Sequence, residues 1–160
     1  MKYLTYKKAD CLNGIGLRNV LWVPFCSHGC KGCFSKSTWR NGGTLVTEDF
    51  LWQLIEDLRP SYISGITLSG GDPMHKSNYS EIISLCRRIK RELPEKDIMV
   101  YTGYTYEELK NDLLRSPILS TIDTLLDGKY ECDNPTTKPF RGSSNQILHK
   151  LVKGLSVEQS

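Results

Sequence analysis

A chain of 160 residues is long enough to bury roughly two-thirds of its unfolded surface, so its six cysteines are not needed as staples for a small fold. Its net charge of +3, with 21 basic residues scattered and no aromatics interleaved in the densest run, CRRIKRELPEK, argues against nucleic-acid binding. No apolar run could span a bilayer and the opening MKYLTYKKAD lacks the core of a signal peptide, so the expected location is cytoplasmic, with reduced thiols. In that compartment a tight cysteine cluster points to metal or redox chemistry before disulfides.

Neither a repeat nor a linker interrupts the chain, and one domain over residues 1–160 is expected. RNVLWVPF is apolar and β-branched enough for a buried strand that runs straight into Cys26. A loop of small and polar residues follows, as far as Gly43. Thr47 then has the character of an N-cap, with Glu48 and Asp49 in the first turn and Leu51, Leu54, Ile55 and Leu58 forming an apolar stripe before Pro60. YISGITL predicts a second strand. Residues Asn78 to Leu93 predict a helix that turns Ile82, Cys86, Ile89 and Leu93 inward and its basic residues to solvent. DIMVYT predicts a third strand, Thr105 with Glu108 a capping box opening a helix near YEELKNDLL, and TIDTLL a fourth strand ending at Asp127-Gly128. Strands alternating with helices imply parallel pairing, with ligands at the strands' C-terminal ends. The cysteine loop, SGGDP, TGY and DGKY all fall at such ends. With about four or five such units the sheet is too short to close, so the expected fold is α/β, a partial, open (β/α) barrel.

Cys26, Cys30 and Cys33 have the spacing C-x3-C-x2-C. Thiolates are soft ligands that suit zinc or iron-sulfur clusters, and counting ligands separates the two. Structural zinc takes four protein ligands in a closed tetrahedron. The candidates for a fourth are His28, read here as an exposed loop histidine, and the distant Cys11 and His75. A four-iron cluster also normally takes four cysteines, so three leave one iron open to a substrate.

Other residues have plain readings of their own. SGGDP can be no more than a tight turn, and Asp127 with Lys129 an ordinary surface pair. Asn13, Gly14, Gly16 and Arg18 are explained by a turn before a strand, and Trp39 by packing over the cysteine loop. Arg141 either faces solvent or serves the site or a partner. Cys11, Cys86 and Cys132 read as small hydrophobes.

The cysteine spacing after a strand resembles that of the radical S-adenosylmethionine superfamily. With NGIGLR, GCKGCFSKSTW, NGG, TLSGGDP, VYTGY, DGKYE and RGSSNQ in order, nearly the whole chain is similar to the small glycyl-radical activases of anaerobic ribonucleotide reductase. It departs from them at Phe25, where Gly is frequent, and at Ile15, where Pro is common; at Gly32 many superfamily members carry an aromatic, but here Phe34 follows instead, as the small activases often have it.

The resemblance implies that Cys26, Cys30 and Cys33 hold a 4Fe-4S cluster whose fourth iron is chelated by the amino and carboxylate groups of S-adenosylmethionine. Ser69, Gly70, Gly71 and Asp72 would meet the methionine amino group, and Thr102 and Lys129 the ribose or carboxylate, with no side chain assigned as catalytic. An external one-electron donor such as flavodoxin would reduce the cluster. The 5'-deoxyadenosyl radical from S-adenosylmethionine cleavage would then take hydrogen from a glycine of the reductase large subunit, which completes the cavity. The rival readings are an activase of the pyruvate formate-lyase type, a small-molecule radical enzyme and a non-enzymatic zinc-binding interaction module.

Overall fold

The computed structural model describes all 160 residues. Two short strands, β1 (Lys2–Tyr3) and β4 (Thr44–Leu45), pair antiparallel with each other. The main sheet comprises β2 (Thr5–Asp10), β3 (Arg18–Val23), β5 (Gly65–Gly70), β6 (Asp97–Tyr101), β7 (Thr124–Asp127), β8 (Ile147–Val152) and β9 (Leu155–Gln159), side by side in that order. The four middle strands, β3, β5, β6 and β7, are mutually parallel, as their alternation with helices predicts. The outer strands β2, β8 and β9 are antiparallel to their neighbours, so the sheet is mixed.

Helix α1 (Glu48–Leu58) starts where Thr47 accepts the Phe50 N–H, and it buries Leu54, Ile55 and Leu58. Helix α2 (Tyr79–Glu92) buries Ile82, Ile83, Leu85, Cys86 and Ile89. These side chains join Ile66, Leu68, Ile98, Val100 and Leu125 of the parallel strands in the main core. Each fully buried Leu or Ile there contributes about 1.5–3 kcal/mol. On the opposite face only Met99, Leu126 and Leu148 form a small second cluster, with Tyr101 and Phe140 against it.

Helix α3 (Tyr106–Lys110) opens on the expected Thr105–Glu108 capping box but is only five residues long. It stops short of the expected span because the Asp112 carboxylate accepts the N–H groups of Leu114 and Arg115, starting a new turn and leaving Leu113 and Leu114 exposed. A 3-10 turn, Ser116–Ser120, then leads into β7.

Arg18 is more than part of a turn. It lies 2% exposed at the start of β3 and donates to Thr67 Oγ1 and the Ile66 carbonyl on β5, to the Ile15 carbonyl, and to Asp97 of β6 at 2.5 Å. This brace ties the N-terminal ends of three strands. The C-terminal ends of the four parallel strands, at Val23, Gly70, Tyr101 and Asp127, lead into the loops that carry the unusual residues.

Candidate functional site

The stem of the cysteine loop is held by the turn after β5. The Val23 carbonyl accepts the Gly71 N–H at 2.7 Å, the Phe25 carbonyl accepts the Asp72 N–H at 2.6 Å, and the Pro24 carbonyl accepts Asn78 Nδ2 at 2.7 Å. Between these anchors Phe25 adopts φ +71°, a left-handed conformation that glycine takes without strain. That gives a physical reason for the glycine that the family resemblance leads one to expect here. Phe25 is kept there with its ring stacked on His75 at 5.4 Å.

Beyond this stem, Cys26, Cys30 and Cys33 are half-buried and line one cavity of about 210 Å³. Ser69, Gly70 and Gly71 from the end of β5, Tyr101, Thr102 and Gly103 from the end of β6, and Lys129 after β7 line the same space. Burial pushes the Cys26 thiol up, nearby Asp72, Cys30 and Cys33 push the same way, and the His28 backbone N–H directed at it opposes them. The Cys33 sulfur accepts the Ser35 N–H at 3.4 Å.

No fourth sulfur lines the cavity. Cys86 is sealed in the core, where burial pushes its thiol up to about 12, and Cys11 is exposed, contrary to its reading as a small hydrophobe. Cys132 is half-buried: a Cβ placed on Gly32 would lie 3.0 Å from its own Cβ. No three His, Cys, Asp or Glu side chains gather tightly enough for a single metal ion. Three soft donors on one cavity have the chemistry to hold three irons of a cluster.

Asp72 is placed differently from its neighbours. Its carboxylate is buried beneath the cavity instead of lining it, and it accepts hydrogen bonds from the Met74 N–H at 2.8 Å, Thr102 Oγ1 at 2.8 Å and the Gly103 N–H at 3.0 Å. His28 Nε2 bonds to the same carboxylate. The Thr102 hydroxyl is thereby occupied by Asp72, and also accepts the Tyr104 N–H. His28 corrects the expectation of an exposed loop histidine, for its side chain is only 8% exposed. The ring lies over Gly103, where a Cβ would come within 2.4 Å of it, and edge-on to Tyr104. A His inside the cysteine loop and an Asp after the Gly-Gly pair are the two sequence signals. Neither reveals the pairing alone.

The remaining wall comes from residues 128–146. Gln146 Oε1 accepts the N–H groups of Gly142 and Ser143, while its Nε2 donates to the Gly128 carbonyl at 3.0 Å, folding this segment back on itself. Gly128, Tyr130, Gly142 and Gln146 all face the cavity. RGSSNQ was the signal for Gln146, but its bracing role has no mark in composition or periodicity. Arg141 of the same motif points elsewhere, donating to the carbonyls of Pro139, Gln146 and Ser160.

Asp127 also turns away from the cysteines, accepting from the Tyr106 N–H and bonding His149 Nε2 at 3.0 Å. Trp39 supplies a carbonyl to the Cys26 N–H but does not line the cavity; the aromatics there are Phe34 and Tyr130, with ring centroids 5.2 Å apart. A larger cavity of about 530 Å³ sits at the opposite ends of the parallel strands, around Arg18, Ser64, Asp97 and Thr124, and contains no thiol.

The whole arrangement has close relatives. A family model described as a 4Fe-4S single cluster domain matches residues 12–149. The chain is 41% identical over 157 residues to the anaerobic ribonucleoside-triphosphate reductase-activating protein of Pasteurella multocida, covering 96% of this chain and 99% of that one. It is 42% identical over 156 residues to the protein of the same name from Enterobacteria phage T4, covering 97% of each. For the Escherichia coli K12 protein of that name the figure is 43% over 155 residues, covering 94% and 99%. The chain therefore belongs to the family of anaerobic ribonucleoside-triphosphate reductase-activating proteins.

Proposed function

We propose that this chain is a radical S-adenosylmethionine enzyme that installs a glycyl radical in an anaerobic ribonucleotide reductase. One observation carries the reading: three cysteines, and only three, share a cavity with the Ser69–Gly71 turn at the C-terminal ends of parallel strands. As thiolates, Cys26, Cys30 and Cys33 would hold three irons of a 4Fe-4S cluster. Carbonyls of the Ser69–Gly71 turn would accept hydrogen bonds from the methionine ammonium, and the Lys129 ammonium would balance its carboxylate.

The chemistry supplied by a bound cluster is one-electron reduction of the sulfonium, which releases methionine and a 5'-deoxyadenosyl radical able to take hydrogen from a glycine of the reductase. The protein's share is to position the cofactor and exclude water and oxygen. A partial, open barrel, the form this reading expects of the sheet, would do this incompletely. Phe34, 85% exposed beside the cysteines, supports a partner docked over this mouth. The proposed partner is the reductase large subunit, the electron source an external donor such as flavodoxin, and the workplace the cytoplasm. The reductase named in the relatives favours this target over pyruvate formate-lyase.

The test is anaerobic incubation with S-adenosylmethionine, a strong reductant and the candidate reductase, followed by electron paramagnetic resonance. A glycyl doublet that disappears, along with the bound iron, in Cys30→Ala is the expected result. Uptake of a single zinc, or iron content unchanged in Cys30→Ala, overturns the assignment.

A further inference from the structure

From Cys26 to Ser35 the chain has no helix or strand, and its backbone hydrogen bonds stay within the loop: Cys26 N–H to the Trp39 carbonyl and Cys33 N–H to the Cys30 carbonyl. In that stretch one hydrogen bond alone reaches a residue beyond the loop, from His28 Nε2 to the Asp72 carboxylate. The Asp72 carboxylate in turn holds Met74 of its own turn and Thr102 and Gly103 of the next. Three segments that wall the cavity thus meet at one buried carboxylate behind it. On the other side the loop has packing contacts, Gly32 against Cys132 and Phe34 against Tyr130. These are with residues of a segment that is itself irregular between β7 and β8.

We infer that His28 and Asp72 are positioning residues: a clamp that sets the cysteine loop against the two cofactor-binding turns before any metal arrives. This rests on the proposed cluster reading and changes one part of it, because Asp72 then acts through His28, Thr102 and Gly103 and not by touching the cofactor. A loop preset in this way loses less freedom when it binds, so the clamp's contribution appears as cofactor affinity. In this account the His28 imidazole, bonded through Nε2 to Asp72, holds the loop and does not bind metal.

The experiment compares the wild-type chain with His28→Ala, His28→Gln and Asp72→Asn, all prepared without oxygen. Gln can carry an N–H donor near the place of the imidazole Nε2; Ala cannot. In the metal-free protein, hydrogen exchange of the amides of residues 26–35 is expected to quicken about tenfold in His28→Ala, while the amides of β5 and β6 stay as protected as before. His28→Gln is expected to restore most of that protection. After cluster reconstitution, His28→Ala should retain wild-type iron content but bind S-adenosylmethionine about tenfold more weakly, with His28→Gln within about threefold of wild type. Asp72→Asn, which turns an amide toward donors, should show the same pattern as His28→Ala.

Exchange and affinity unchanged in His28→Ala overturn the clamp, as does equal impairment in His28→Gln. Loss of iron in both His28 variants also overturns it, making the imidazole a ligand. If the wild-type protein itself takes up no cluster, the function proposed above fails, and the exchange comparison on bare protein still decides the clamp.

Discussion

A Cβ on Gly71 would lie 2.3 Å from the Phe25 carbonyl oxygen and 2.7 Å from the carbonyl carbon. Both are backbone atoms, and that oxygen accepts the Asp72 N–H, so neither side can yield without parting the turn from the cysteine stem. Gly71→Ala is therefore expected to destabilise the metal-free protein by about 3 kcal/mol, read by urea unfolding. Gly29, in the cysteine loop, has open space at its Cβ position and a φ of +62°. Gly29→Ala should accordingly cost only the left-handed strain, about 1 kcal/mol. Equal losses in the two variants would mean that the turn does not grip the stem.

The six thiols should differ in reactivity as their surroundings differ. Cys11 is exposed and Cys86 sealed, its thiol pushed up to about 12 by burial. Because the thiolate is the nucleophile, native metal-free protein treated with iodoacetamide near neutral pH should be modified at Cys11 and spared at Cys86 until it unfolds. With a cluster in place, Cys26, Cys30 and Cys33 should become protected while Cys11 stays reactive. Mass mapping of the labelled peptides checks this, and continued labelling of Cys30 in brown, iron-loaded protein would exclude it as a ligand.

These contrasts mark what the sequence can convey. The parallel centre was legible because β3, β5, β6 and β7 carry apolar runs, α1 and α3 carry caps, and α1 and α2 carry apolar stripes. Strand β2, TYKKAD, and strand β9, LSVEQ, lie at the sheet's edges with most residues exposed, so neither has an alternation to read. At the site, cysteine spacing and the Gly-Gly pair are local patterns, and they fall around one cavity. His28 and Asp72 are 44 residues apart, and their pairing exists only once two loops meet. Arg141 and Asp127 sit in or near recognisable motifs yet face away from that cavity, because motif membership does not fix where a side chain points.

Asp10 should govern part of the acid stability. Burial pushes its carboxyl up, but hydrogen bonds from Lys7, Asn13 and the N–H groups of Leu12 and Asn13 outweigh this and bring it from 3.8 down to about 2. Well above pH 3.8, from about pH 5, the group is ionised in both states and its stabilisation is complete. As pH falls toward 2 the unfolded chain takes up the proton first, so stability is lost across that interval, by a total of about 2 kcal/mol. Asp10→Asn is expected to flatten this limb of the stability-pH curve in the metal-free protein. An unchanged acid limb would show that other carboxylates dominate.

Arg18 offers the reverse separation, a large effect on the fold with none on the site. Its guanidinium donates to Thr67 Oγ1 and the Ile66 carbonyl at 2.9 Å, the Ile15 carbonyl at 3.1 Å and Asp97 at 2.5 Å, all at the strand ends farthest from the cysteines. Thr67 passes the link on, donating to the Asn13 carbonyl at 2.6 Å. Lysine cannot reproduce this fork, because a single ammonium cannot meet acceptors spread over two strands and the turn before β3. Asp97 is 39% exposed and would be rehydrated in a variant, so the loss comes mainly from the stranded carbonyls. Arg18→Met, which keeps the apolar stem, is expected to cost about 3 kcal/mol in urea unfolding. Iron uptake and S-adenosylmethionine affinity, measured well below the variant's melting temperature, should match wild type. A weakened cofactor affinity in folded Arg18→Met would show that the brace sets the spacing of the strands all the way to the cavity.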